Sequence, residues 1–137
     1  MADPRVLRFI KAAAQRLGAA DTLLSDSQYL DATYLAGYVV ECSLKALLLS
    51  YIPVAERADF VRESFRGASA HDFEFLMHHL RQRGINISPE IRKLISQSDR
   101  IWSTDLRYES GHGRAKDAEF LRNAGETILS WVKRSVS

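Results

Sequence analysis

The sequence has few residues that could form covalent cross-links and no uninterrupted apolar run long enough for a membrane span. Its 137 residues include a single cysteine, three prolines and seven glycines. With one thiol an internal disulfide is excluded, and Cys42 lies in an apolar helical pattern, which favours a buried and unreactive thiol. Glu41 and Lys45 interrupt the longest apolar stretch, which is therefore shorter than the roughly 20 residues of a membrane span. The N-terminal stretch MADPRVLRF lacks the apolar core of a secretory signal. We expect a cytoplasmic protein without a membrane segment.

Charge runs, metal-ligand clusters and phosphate-binding loops are also missing. The net charge is +2, and the basic residues are spread along the chain without a run of five. Such a surface permits nucleic-acid binding but does not predict it. His78 and His79 are adjacent in a helical pattern, so they point to different faces and form a poor metal site. We expect no metal ion and no cofactor, and nothing in the sequence supports serine-based hydrolysis.

Apolar residues at helical spacing recur throughout the chain, whereas alternating strand patterns are almost absent. Asp3-Pro4 and Ser88-Pro89-Glu90 combine a capping residue with a first-turn proline, as helix N-termini often do. The pattern predicts main helices over about residues 4–24, 26–51, 71–84, 88 to beyond 107, and 115–132, with a shorter helix over about 55–65. We therefore predict an all-α fold, a single up-and-down bundle of about five main helices that forms one domain over residues 1–137.

The stretch DLRYESGHGR carries the main candidate chemistry, because it places Arg107 five positions before His112. On a continuous helix five residues turn about 500°, so the two side chains would point about 140° apart. Gly111 and Gly113 favour a break that lets His112 return toward the arginine. A histidine that accepts a proton and a guanidinium that holds a phosphate suit phosphodiester cleavage. Alternatively, Arg107 only stabilises a helix C-terminus and His112 lies in a solvated turn.

Two further pairs of polar residues stand out. Glu41 precedes Lys45 by four positions in the apolar second helix, which is the favoured direction for a helical ion pair. Buried charges cost several kcal/mol each unless paired, so these residues either meet at the surface or contact other groups, Arg107 included. His71-Asp72 precedes the third helix, where the simplest interpretation is a helix cap and a first-turn acid.

These residues together resemble the HEPN family (higher eukaryotes and prokaryotes nucleotide-binding). The resemblance rests on YLAGYVVECSLKALLL, HDFEFL and LRYESGH, and it covers about residues 29–132. It implies a helical bundle that usually dimerises, with arginine and histidine of both chains at a shared cleft. Active members are metal-independent endoribonucleases in which the histidine helps the ribose 2′-hydroxyl attack the adjacent phosphate. Many are toxins or defence proteins, and some pair with a minimal nucleotidyltransferase as antitoxin.

The sequence departs from the family pattern at two positions. Tyr108 follows the arginine where active members often have Asn, Asp or His, and Arg114 occupies the position of a tyrosine found in toxins that are inactivated by nucleotidylation. Two hypotheses therefore stay open. The first is a ribonuclease toxin or defence effector that uses Arg107 and His112, supported by the neighbouring polar residues Glu41, Lys45, His71, Asp72 and Tyr108. The second is a non-catalytic HEPN module that binds a nucleotide or a partner nucleotidyltransferase.

Overall fold

The computed structural model describes residues 3–136, which form a helical bundle without a strand in this part of the chain. The predicted all-α fold is confirmed. The six helices are α1 (Pro4–Ser25), α2 (Tyr29–Ser50), α3 (Arg57–Ser64), α4 (Phe73–Gln82), α5 (Pro89–Ile101) and α6 (Ala115–Val136). Short 3₁₀ segments occupy Val54–Glu56, Ala68–His71 and Thr104–Tyr108.

Capping residues set the helix starts that the sequence predicted. The Asp3 carboxylate accepts a hydrogen bond from the Arg5 amide at 2.8 Å, directly before Pro4. Between α1 and α2, Ser27 adopts a positive φ of 58°, so α2 begins at Tyr29 and the predicted start at residue 26 is wrong by three positions. Such a short connection places the two helices side by side in opposite directions.

The core is built around α2. Every residue from Val39 to Leu49 is buried, including three polar or charged ones. By length and composition alone α2 could cross a membrane, but 83% of its apolar window is buried inside the bundle, as in the central helix of a globular core. Cys42 lies in this stretch, and burial, with a smaller contribution from Glu41, raises the pKa of its thiol to about 11. The expected buried thiol is confirmed.

The helices α4 and α6 follow the predicted pattern closely. The Asp72 carboxylate accepts a hydrogen bond from the Glu74 amide at 2.9 Å and caps α4, which begins at Phe73, two positions after the predicted start. The predicted inward residues of both helices are buried, and α6 continues four residues beyond the predicted end, to Val136. They are Phe73, Leu76, Met77 and Leu80 in α4 and Ala118, Leu121, Ala124, Ile128, Leu129 and Val132 in α6.

The prediction for the fourth main helix is wrong at its C-terminal end. We expected Arg107 on the polar side of this helix, but α5 ends at Ile101. Trp102 and Ser103 are extended, and the Ser103 hydroxyl accepts a hydrogen bond from the Asp105 amide that opens a new 3₁₀ segment. The Trp102 ring is 4% exposed and stacks on Phe73 with centroids 5.0 Å apart. Burial of this large ring therefore ends the helix at Ile101, so Arg107 is not part of α5.

Candidate functional site

A polar stripe runs along one face of α2. It consists of Tyr34, Tyr38, Glu41 and Lys45, which helical geometry places above one another. The hydroxyls of Tyr34 and Tyr38 are 3.0 Å apart, and their rings meet edge to face. Burial, followed by the hydrogen bond with Tyr34, raises the pKa of Tyr38 well above its ordinary value. The Tyr38 hydroxyl therefore remains protonated at neutral pH.

We call the 3₁₀ segment Thr104–Tyr108 the Arg107 segment. Trp102, which lies two residues before it, anchors the start of this segment on α2. Its indole Nε1–H donates a hydrogen bond to the Tyr34 carbonyl oxygen at 2.8 Å. The indole lies directly on Gly37, where a Cβ atom would be only 2.0 Å from Nε1. Only a glycine leaves room for the ring at this point. This close contact between Trp102 and Gly37 fixes the position at which the Arg107 segment begins.

Arg107 is exposed at the end of this segment. Its guanidinium carbon lies 4.8 Å from the ring centroid of Tyr108, which is 75% exposed. The Tyr108 side chain, with smaller contributions from Tyr34 and Tyr38, raises the pKa of Arg107 further above its already high value. The site therefore presents a permanent cation to solvent beside an exposed aromatic ring, on a segment that packs against α2.

His112 lies in a loop that docks on the N-terminal end of α2. Gly111 and Gly113 have φ angles of 105° and 70°, so the predicted helix break around the histidine is confirmed. The His112 carbonyl oxygen accepts a hydrogen bond from the Leu30 amide at 3.0 Å. A Cβ on Gly113 would lie 2.7 Å from the Leu30 nitrogen, which adds a steric reason for glycine there. The backbone of the histidine is thus fixed one helical turn before Tyr34.

Arg107 and His112 both lie on segments that pack against α2, the first on the Arg107 segment and the second in the loop bonded to Leu30. Both residues are exposed, and among residues 3–136 no hydrogen bond or ion pair connects them. The interpretation of Arg107 as a cap of the fourth helix is wrong, since α5 ends six residues earlier. Both side chains are therefore available to a ligand or to a second protein chain.

Glu41 and Lys45 form the buried part of the polar stripe. The Lys45 ammonium donates a hydrogen bond to the Glu41 carboxylate at 2.9 Å, so the predicted pairing is confirmed. The alternative that placed this pair at the surface is wrong, because the two residues are only 3% and 5% exposed. The ammonium also lies 5.1 Å from the ring centroid of Phe65. No hydrogen bond or ion pair between Glu41 and Arg107 is found in the described part of the chain.

His71 is the partner that the sequence did not connect with Glu41. Its Nδ1 lies 3.1 Å from both carboxylate oxygens, across 30 positions of sequence. The ring also meets the Tyr38 ring edge to face, with centroids 6.3 Å apart. The interpretation of His71-Asp72 as a cap and a first-turn acid is wrong by one position, because Asp72 is the cap and Glu74 is the first-turn acid. A glutamate in an apolar helix signals a missing partner, but the sequence offers no way to choose among the histidines.

A cleft of about 270 Å³ opens beside His71. Its walls include Asp99, Trp102, Ser103 and Thr104, and it therefore reaches from the end of α5 to the start of the Arg107 segment. Burial, with smaller contributions from Asp72 and Glu74, raises the pKa of Asp99. Within residues 3–136, no group of three or more His, Cys, Asp or Glu side chains is placed to hold a metal ion.

Comparison with known proteins gives one match. The family model of the HEPN domain covers residues 6–135, from the first turns of α1 to the end of α6. No curated protein sequence and no solved structure matches significantly. The matched region contains the polar stripe, the Arg107 segment and the His112 loop, so the whole candidate site lies within the family's domain.

Proposed function

Because the chain belongs to the HEPN domain family, we propose that it is a metal-independent endoribonuclease that acts as a toxin or defence effector in the cytoplasm. The family includes ribonucleases and nucleotide-binding modules. The observation that carries the proposal is the exposed Arg107 guanidinium beside Tyr108, on a segment that packs against α2, with the His112 backbone docked at the N-terminal end of the same helix. A permanent cation and a nearby imidazole are the two groups that RNA transesterification needs first.

Each residue has a separate role in the proposed reaction. His112 accepts the proton of the ribose 2′-hydroxyl, whose oxygen then bonds to the adjacent phosphorus. Arg107 binds the non-bridging phosphate oxygens and stabilises the charge that builds on them in the transition state. The bond between phosphorus and the 5′-oxygen breaks. The products are a 2′,3′-cyclic phosphate and a free 5′-hydroxyl.

We also propose that the protein works as a two-fold dimer with the Arg107 and His112 segments facing each other. At this site one chain presents one exposed cation, Arg107, and one exposed imidazole, His112. A two-fold axis would bring two copies of each group into one cleft. At micromolar concentration, light scattering is expected to give twice the 15.5 kDa mass of one chain. A mass of one chain under these conditions would contradict the dimer.

RNA cleavage by the purified protein in the presence of a chelator tests the catalytic proposal. Arg107→Ala and His112→Ala should each lower the cleavage rate, the histidine variant by roughly 10²–10⁴-fold if it loses a general base. Neither side chain is buried, so the thermal transitions should stay close to that of the wild type. The exposed Arg114→Ala and His78→Ala are the matched controls, and they should cleave normally. The variants that lose cleavage should also lose toxicity on overexpression.

Wild-type cleavage by His112→Ala would rule out the nuclease role and support the second candidate. That candidate is a non-catalytic module that binds a nucleotide or a partner nucleotidyltransferase. It is favoured by Tyr108, which gives the guanidinium an aromatic partner, and by the absence of any hydrogen bond to the His112 side chain within residues 3–136. Under this alternative, Arg107→Ala weakens nucleotide or partner binding whereas His112→Ala does not.

A further inference from the structure

RNA transesterification requires two proton transfers, and the proposed function assigns only one. The 2′-hydroxyl loses a proton, and the departing 5′-oxygen gains one. In an in-line displacement the attacking and leaving oxygens lie on opposite sides of phosphorus. A proton donor is therefore needed on the far side of the phosphate from His112. This donor is needed only for RNA cleavage, so its assignment rests on the proposed function.

His71 is held in the way that a proton-transfer histidine is usually held. The Glu41 carboxylate can only accept hydrogen bonds, so the His71 Nδ1–H donates to it at 3.1 Å and Nε2 is left for other partners. Glu41 is buried and tied to Lys45, which prevents the carboxylate from moving away. A buried carboxylate that fixes the tautomer and orientation of an imidazole is the arrangement of known acid–base dyads.

The His71 ring is also accessible. Its side chain is 37% exposed and lines the cleft that continues to Thr104, the first residue of the Arg107 segment. The carboxylates of Asp72 and Asp99 on this cleft would repel a phosphate, but they can accept hydrogen bonds from ribose hydroxyls or base amino groups. The cleft thus suits the nucleoside on the leaving side, with its phosphate outside at the guanidinium.

His71 and His112 are held on opposite sides of the point where the chain enters the Arg107 segment on α2. The His112 carbonyl oxygen accepts a hydrogen bond from the Leu30 amide, and the His71 ring is hydrogen-bonded to Glu41. Leu30 and Glu41 are eleven positions apart on α2, which corresponds to about 16 Å along the helix axis. Trp102, which precedes the Arg107 segment, donates its hydrogen bond to the Tyr34 carbonyl oxygen, between these two points. A phosphate at the guanidinium would therefore have one histidine toward each end of the polar stripe.

Within one chain, the other two histidines, His78 and His79, do not fit this role. His79 packs between Phe60 and Phe75, with its Nδ1 buried and without a hydrogen-bond partner in the described structure. Burial, followed by the charges of Arg83 and His78, lowers the pKa of His79, so this ring stays neutral. His78 is exposed on α4, where no carboxylate among residues 3–136 orients it.

We propose that His71 is a second catalytic residue of the RNA cleavage reaction and that Glu41 is its positioning residue. As the 2′-oxygen bonds to phosphorus, the bond to the 5′-oxygen breaks and the proton on His71 Nε2 passes to that oxygen. His112 ends the step protonated and His71 ends it neutral, so charge and protons balance. Proton exchange with water restores both rings.

A dinucleotide substrate with sulfur in place of the bridging 5′-oxygen tests this assignment. A thiolate leaves without being protonated, so it needs no acid. His71→Ala should cleave the oxygen substrate roughly 10²–10⁴-fold more slowly than the wild type and the sulfur substrate at nearly the wild-type rate. Glu41→Gln should show the same selective loss to a smaller degree. The exposed His78→Ala should cleave both substrates normally.

The outcomes separate this inference from the proposed function. If the wild type cleaves RNA and His71→Ala cleaves the oxygen substrate at the wild-type rate, the assignment of His71 is wrong and the Arg107–His112 proposal stands. An equal loss on both substrates also overturns it, since a structural defect or loss of a base would have that effect. If the wild type cleaves neither substrate, the proposed function fails, and this inference fails with it.

Discussion

Gly37→Ala is expected to destabilise the protein by roughly 2–5 kcal/mol, the combined effect of forced overpacking and an unmade buried hydrogen bond. The added Cβ would lie 2.0–2.2 Å from three atoms of the Trp102 indole. The ring has little room to move, because it is 4% exposed and also stacks on Phe73. Displacing it removes the hydrogen bond to the Tyr34 carbonyl as well. The free energy of unfolding in urea measures the effect.

The matched control for this experiment is Gly18→Ala in α1. A Cβ at Gly18 meets nothing within 4 Å, so this variant should gain roughly 0.5–1 kcal/mol from the higher helix propensity of alanine. Opposite signs for the same chemical change would separate the steric effect from propensity. Because Trp102 anchors the Arg107 segment, Gly37→Ala should also lose RNA cleavage. A Gly37→Ala protein with wild-type stability would contradict the observed packing of Trp102.

Glu41→Ala is expected to destabilise the protein by roughly 3–5 kcal/mol, because it leaves the Lys45 ammonium buried without a counter-charge. The ammonium is 5% exposed, and Glu41 is its ion-pair partner at 2.9 Å. The double variant Glu41→Leu/Lys45→Met should be more stable than Glu41→Ala, since an apolar pair of similar volume needs no hydration. Urea denaturation of Glu41→Leu, Lys45→Met and the double variant measures the coupling energy.

The control for the buried pair is a surface pair with the same spacing. Glu126 on α6 lies 2.7 Å from Arg122, four positions earlier, and its side chain is about half exposed. Glu126→Ala should therefore change stability by less than about 1 kcal/mol. If Glu41→Ala cost no more than Glu126→Ala, the ion pair at Glu41 would not be buried in solution. That result would also remove the basis for Glu41 as the positioning residue of His71.

The sequence by itself determined those features of this protein that depend on neighbours a few residues apart. The caps at Asp3, Asp72 and Ser88 bond to amides two or three positions ahead, so their residue types and spacing were sufficient to predict the helix starts. Apolar residues three and four positions apart identified the buried faces of the helices. The same local rule predicted that Glu41 and Lys45 would pair.

Only the tertiary structure decided which distant residues meet. The apolar pattern of α5 gave no sign that Trp102 would leave the helix to occupy the space above Gly37, a contact across 65 positions. The bond between His71 and Glu41 spans 30 positions, and the His112 loop docks on Leu30 from much farther along the chain. Helical periodicity specifies which face of a helix is buried but not which helix covers it. The candidate site is assembled from such long-range contacts around one face of α2, so its individual residues were visible in the sequence and their arrangement was not.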